Sequence, residues 1–366
     1  MPTRDPAAIR RGCTRILSVA PSAPARALAE LAAYAGDAAA DHYAEGALAE
    51  RLEARTAALL GKPAALFVPT GTMAQLLVLR VLADRARCRR IAMHPRSHLE
   101  ESERGAYHEL YGLASAALGA PERMPRPSDL DAIPERLGAI TLEMPMRRLG
   151  CILSPWSELM EFAERARARG AALHLDGARI WETQSFYRRS CAEIAALFDT
   201  VYVAFDKGLG ALGGSAVAGP ADIIAEARLW RHRAGGRILR SYPYLLSSLK
   251  ALDDNLGHMA ALHERAVALA RSLTGIPGLS VTPDPPHTNA MLVTVPGDPG
   301  AAEAAALDVA EATGTWLFDR IVDCPIQGMV SFEMTVRVTT MTVDLGAIRD
   351  AIAAFAERLA VLSRRG

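Results

Sequence analysis

Val201-Tyr202-Val203-Ala204-Phe205-Asp206-Lys207-Gly208-Leu209-Gly210 leads a β-branched and aromatic run straight into a glycine-rich turn, with one lysine at the junction. Such side chains suit a pleated, buried surface, so 201–205 reads as a strand. The glycines after Lys207 permit a sharp turn. Upstream, a second apolar stretch ends at Asp176 within His174-Leu175-Asp176-Gly177-Ala178-Arg179. Two buried strands, one delivering a lysine and the other a carboxylate, set the frame for the rest of the chain.

Outward from that pair, helical and strand-like segments alternate. Leu48, Leu52 and Leu59 at helical spacing predict a helix over 44–60 that stops near Gly61. A strand at 64–68 and the turn Pro69-Thr70-Gly71-Thr72 precede a leucine-rich helix over 73–83. Residues 91–93 and 139–143 read as buried strands, 100–118 as helical, and 121–134 as a proline-punctuated loop. A helix over 156–169, stopped by Gly170, feeds the strand ending at Asp176. This strand–helix–strand rhythm predicts an α/β fold with a mostly parallel sheet. Beyond Gly219 come an arginine-rich helix over 221–233, the pair Gly235-Gly236, and one long helical region over 242–272. Strands at 291–295 and 335–340, with helices over 301–313 and 345–362, complete a smaller α+β domain. The expected division is an N-terminal arm and helix at 1–44, a large domain at 45–242 and a small C-terminal domain at 243–366.

Composition narrows the function. At 366 residues the chain can bury a large core. Lys+Arg and Asp+Glu are both 41, which argues against a surface built for nucleic acid or anionic lipid. No apolar run approaches membrane-spanning length, and the start, Met1-Pro2-Thr3-Arg4-Asp5, lacks the apolar stretch of a secretory signal. Cys13, Cys88, Cys151, Cys191 and Cys324 are scattered and lack paired metal-ligand spacing. Free thiols in a reducing cytoplasm, and no metal site, are the expectation.

A lysine amine and a carboxylate so placed suit the two ends of pyridoxal 5'-phosphate. The amine can form a Schiff base with the aldehyde, and the carboxylate can keep the ring nitrogen protonated. Taken singly, lysines often follow strands and Asp-Gly is a common turn. Thr70-Gly71-Thr72 between strand and helix offers backbone N–H groups and a hydroxyl to a phosphate, although the same residues also serve as ordinary helix capping.

The chain resembles the threonine aldolase and β-eliminating lyase family, enzymes of the aspartate-aminotransferase fold. The resemblance rests on Leu59-Leu60-Gly61-Lys62 through Thr70-Gly71-Thr72-Met73, on His174 to Arg179, on Lys207-Gly208-Leu209-Gly210, and more weakly on Val336-Arg337-Val338-Thr339-Thr340. It implies that Gly71 and Thr72 hold the phosphate and that His98 stacks on the ring. Asp176 would pair with the ring nitrogen and Lys207 would carry the coenzyme. Arg179 and Arg337 would grip the substrate α-carboxylate, and Arg233 would reach the phosphate in a neighbouring subunit, with sites formed at the interface of a homodimer or homotetramer. Glu100, Glu101 and Glu103 read as solvated helix residues of a charge-rich run, Glu103 also lying where the family often has a glutamate, and His94 reads as structural or exposed.

Two departures stand out. Where the family has Arg-Ser-Asp-Thr, this chain has Gly12-Cys13-Thr14-Arg15-Ile16-Leu17-Ser18. Where typical members have Glu-Asn-Thr-His, it reads Glu143-Met144-Pro145-Met146, so Met146 replaces a histidine implicated near the substrate's β-hydroxyl. The resemblance implies retro-aldol cleavage of a β-hydroxy-α-amino acid, with His98 or a water it holds as base. The rivals are β-elimination from a substituted alanine and a non-catalytic protein that keeps the fold.

Overall fold

The computed structural model describes residues 4–18, 23–322, 324 and 326–364. Met1–Thr3, at the start of the segment read for a secretory signal, lie outside the described residues. Among the described residues the chain forms two compact units, one of residues 23–149 and 153–257, the other of 4–18, 150–152 and 258–364.

The larger unit is built on seven strands, β1 (Ala64–Val68), β2 (Arg90–Met93), β3 (Ala114–Ala117), β4 (Ala139–Glu143), β5 (Ala172–Asp176), β6 (Thr200–Ala204) and β7 (Ser215–Gly219). Their order across the sheet is β1-β7-β6-β5-β4-β2-β3. Six strands share one direction; β7 runs antiparallel to both of its neighbours. The link from β6 to β7 is therefore a hairpin connection rather than a helical crossover. Lys207 sits in that connection.

Helix α1 (Ala47–Leu59) precedes β1, and α2 (Gly71–Arg85) follows it. Thr70 caps α2, its Oγ1 accepting the Met73 N–H at 3.3 Å. Leu76, Leu77, Val78, Leu79, Val81 and Leu82 are all buried, because α2 crosses the middle of the sheet rather than its rim. Burial of each such side chain contributes about 1.5–3 kcal/mol. The exposed edge of β1 is blunted by side chains. Glu53 of α1 accepts the Phe67 N–H at 2.9 Å, and Arg231 donates to the Phe67 carbonyl at 2.8 Å from α4 (Ala221–Arg233). With those groups satisfied, the edge offers less to another strand.

The smaller unit holds a four-stranded antiparallel sheet of β8 (Ser280–Thr282), β9 (Ala290–Pro296), β10 (Ile321–Val322) and β11 (Met329–Thr335), ordered β10-β11-β9-β8. Phe318, Phe332 and Phe355 cluster in its core at ring separations of 4.5–5.7 Å. Arg15–Ile16 pair with Thr315–Trp316 in the same unit.

Four expectations are corrected. Residues 100–118 are not one helix: single turns at His98–Glu101 and Ala106–Glu109 are separated at Arg104 and Gly105, both at positive φ, and Ala114–Ala117 pairs as an edge strand. The region 242–272 is two helices, Tyr242–Asn255 and Met259–Ser272. The boundary expected at 242 falls after Gly257, because Tyr242–Asn255 packs on α1 and on the helix Pro24–Ala35; residues 4–18, expected with a separate arm, belong to the smaller unit. Finally, β11 stops at Thr335. The Arg337 N–H turns to Thr340 Oγ1 at 2.9 Å and opens a 3-10 turn, a case of a side-chain hydroxyl competing with the ladder.

Candidate active site

Register sets the site. Asp176, the last residue of β5, lies opposite Glu143 of β4 on one side and Tyr202 of β6 on the other. Residues opposite one another across parallel strands face the same side of the sheet. That side is the one covered by α2.

Asp176 is 4% exposed. Its Oδ2 accepts a hydrogen bond from Gln75 Nε2 at 2.6 Å, and its Oδ1 accepts the Ala178 N–H at 3.2 Å. Burial raises its pKa; the nearby His98 and the bond from Gln75 pull the other way. Gln75 was not anticipated from sequence. The available signal was a carboxamide in the wholly apolar stretch Gln75-Leu76-Leu77-Val78.

His98 opens a single helical turn capped by Ser97. Its backbone N–H donates to Glu143 Oε2 at 2.7 Å, and its Nδ1 meets Glu103 Oε1 at 3.1 Å. The bond to Glu103 raises the His98 pKa against the opposing effect of burial, with support from the charges of Asp176 and Glu143. Glu103 is not the solvated residue that its charged run suggests: its side chain is 1% exposed. Glu101 bridges Arg96 and Arg148, and Glu100 accepts from the Tyr107 hydroxyl. His94 is structural, its buried Nε2 within 3.0 Å of the Ala120 and Arg123 carbonyls.

Glu143 joins two loops. Its Oε2 takes the His98 N–H while its Oε1 takes the Arg147 N–H at 3.2 Å. Loss of solvent and the charge of Asp176 push its carboxyl up to about 7. Met146, on the loop that Glu143 ties down, is 1% exposed.

Tyr202 links this cluster to the start of α2. A Cβ placed on Gly71 would fall 2.0 Å from the Tyr202 hydroxyl oxygen, so only glycine lets the helix start lie against the ring. Burial lifts the Tyr202 pKa well above its ordinary value, which keeps the phenol neutral. Thr72 is exposed at the same helix start, and the Gly71 and Thr72 N–H groups precede the first intrahelical bonds. Beyond Tyr202, Lys207 lies just past the end of β6, its side chain 43% exposed and its Nζ 3.0 Å from Asp206 Oδ2.

The structure thus brings together Gly71, Asp176 and His98 with the unforeseen Gln75, Glu143 and Tyr202, and places Lys207 at the carboxyl end of the strand beside that of Asp176. Arg179 follows on the loop after β5. Arg233 ends α4, exposed, with its guanidinium 5.0 Å from the Trp230 ring centroid. Arg337 belongs to the smaller unit. Among the described residues no cluster of three or more His, Cys, Asp or Glu side chains could hold a metal ion, and no helix is long and apolar enough to cross a membrane.

Three comparisons with known proteins agree. A protein from Listeria monocytogenes, described as a candidate L-allo-threonine aldolase, superposes with a TM-score of 0.91 at 31% identity, covering 96% of this chain and 98% of that one. The low-specificity L-threonine aldolase of Escherichia coli K12 is 30% identical over 68% of this chain and 76% of its own length. An uncharacterised Caenorhabditis elegans protein is 34% identical over 68% of this chain, which spans 60% of that relative. The family model described as beta-eliminating lyase matches residues 18–297. With its buried aspartate and strand-end lysine, the chain belongs to the beta-eliminating lyase family, whose coenzyme is pyridoxal phosphate.

Proposed function

We propose that this protein cleaves the Cα–Cβ bond of a threonine-like β-hydroxy-α-amino acid, giving glycine and an aldehyde. The observation that carries the reading is Asp176, a carboxylate sunk beneath α2 with two hydrogen-bond donors already on it. Burial that raises its pKa makes a cationic partner favourable, and a protonated ring nitrogen is such a partner. The Gly71 start of α2, held against Tyr202, fits a phosphate in the same way. When bound, pyridoxal phosphate supplies an electron-accepting ring conjugated to the substrate's α-carbon.

The chain's own residues then divide the work. Lys207 attaches the coenzyme through its amine. Gly71 and Thr72 bind its phosphate, helped by Arg233 of a neighbouring copy in a homodimer or homotetramer. Asp176, oriented by Gln75, keeps the ring nitrogen protonated. Arg179 and Arg337 bind the substrate carboxylate, a planar fork to a planar acceptor. His98 would stack on the coenzyme, and its Nε2, the ring nitrogen not engaged with Glu103, would take the β-hydroxyl proton directly or through a water. This chemistry would take place in the cytoplasm, a reducing setting that suits the chain's free cysteines.

One observation favours a second reaction. Met146 is buried where the family commonly has a histidine, so that side chain supplies no proton acceptor near the β-carbon. β-Elimination from a substituted alanine needs none there. A panel of amino acids, with products read by mass spectrometry, separates the two. Glycine plus an aldehyde supports the proposal, and pyruvate plus ammonia replaces it.

A further inference from the structure

The 3-10 turn Ile180–Glu182 follows Arg179 and packs on the end of β6. Trp181, fully buried, donates its Nε1 proton to the Ala204 carbonyl at 3.1 Å, and the Gly177 N–H donates to the Tyr202 carbonyl at 2.9 Å. The next side chain, Glu182, is only 2% exposed. Its carboxylate lies against Gly208, the residue after Lys207: a Cβ on Gly208 would stand 2.0 Å from Glu182 Oε1 and 2.6 Å from its Cδ. Gly208 is not among the glycines at positive φ, so conformational freedom does not explain the glycine there. Space for the carboxylate does. The charge of Glu182 is also felt nearby, since it adds to the burial that pushes the Cys191 thiol up to about 12.

We infer that Glu182 is a positioning residue for Lys207: its buried carboxylate backs the Gly208 turn and fixes where the lysine amine stands relative to the Asp176 loop. Because Glu182 is 2% exposed, moving its carboxylate aside to admit a methyl group would require the buried side chains around it to repack. The turn carrying Arg179 and the turn carrying Lys207 are thereby keyed together, carboxylate into glycine notch. The inference rests on the proposed attachment of the coenzyme at Lys207.

The test is a double-mutant cycle read as coenzyme affinity, by titration of apoprotein with pyridoxal phosphate. Gly208→Ala is expected to weaken affinity roughly tenfold or more, and Glu182→Ala in that background to restore most of the loss by vacating the notch. A Gly208→Ala protein that binds as tightly as the parent overturns the inference; so does a double variant whose losses simply add. Should Gly208→Ala fail to fold, Glu182→Gln decides. It keeps the shape and removes the charge behind the Gly208 turn, so the pH midpoint of the bound coenzyme's absorbance change should fall, while the melting temperature of the apoprotein stays close to that of the parent. An unmoved midpoint overturns the inference. Borohydride reduction of the parent with coenzyme, followed by peptide mapping, keeps the two ideas apart. No label on Lys207 ends the attachment reading itself, whereas a labelled Lys207 with an additive cycle removes only the role of Glu182.

Discussion

Asp176 and Lys207 end neighbouring strands, yet their surroundings are opposites. The aspartate is 4% exposed and fixed by Gln75 and the Ala178 N–H. The lysine's side chain is 43% exposed, bonded to an aspartate that is itself 36% exposed. The difference matches the two tasks proposed for them. A charge that must stay in one place to hold a ring nitrogen gains from low dielectric and rigid donors. On the proposed assignment the lysine amine must leave and re-form a bond, and a side chain that faces solvent has room for that exchange.

The sharpest way to break this comparison is to remove the exposed end. Lys207→Ala should abolish the visible absorbance of bound coenzyme and lower turnover by at least about 10⁴-fold. Retained turnover, measured without added amines, would remove Lys207 from its assigned place. Asp176→Asn addresses the rigid end. It keeps the size but loses the charge and one of the two acceptor oxygens, so the coenzyme should still bind while turnover falls about 10²- to 10³-fold. Comparable loss of coenzyme binding in both variants would show that the two ends do not differ as argued.

Most of this contrast was legible in residues. The strands at 64–68 and 139–143 and the helix over 221–233 stand where side-chain pattern puts them, because each is a continuous apolar run or a clean helical period between strong breakers. Lys207 and Asp176 could be picked out because chemistry-bearing residues at strand ends stand out against apolar sequence. Gln75 and Tyr202 could not. Their roles come from which strand lies beside which, and the sheet order β1-β7-β6-β5-β4-β2-β3 is a tertiary fact. The same holds for Glu103, whose charged neighbours argue for solvent while its own side chain turns inward to His98. The failed strand at 335–340 has a local cause: one threonine hydroxyl outcompeted the ladder.

The rigid end also makes a pH prediction. Glu143 is pushed up to about 7 and Asp176 is raised, both chiefly by burial, so the folded apoprotein holds protons that the unfolded chain has released. Where the folded state binds more protons, stability falls as pH rises. The melting temperature of coenzyme-free protein should therefore decline from about pH 5 to about pH 7 and then level off. Glu143→Gln should flatten much of that slope. A flat profile in the parent would mean that neither carboxyl is desolvated as its position implies.

Asp206→Asn gives the smallest effect and tests the exposed end most directly. The Lys207–Asp206 pair is solvent-facing on both sides, and pairs of that kind contribute about 0–1 kcal/mol. Losing it should change coenzyme affinity by less than about fivefold and leave the apoprotein's melting temperature almost unmoved. A Gln75→Ala variant, by contrast, strips a donor from a buried carboxylate and should cost about tenfold or more in turnover. If the two substitutions were to cost the same, exposure at Lys207 would not mean looseness. Asp206 would then be holding the amine as firmly as Gln75 holds Asp176, and the site would have two rigid ends.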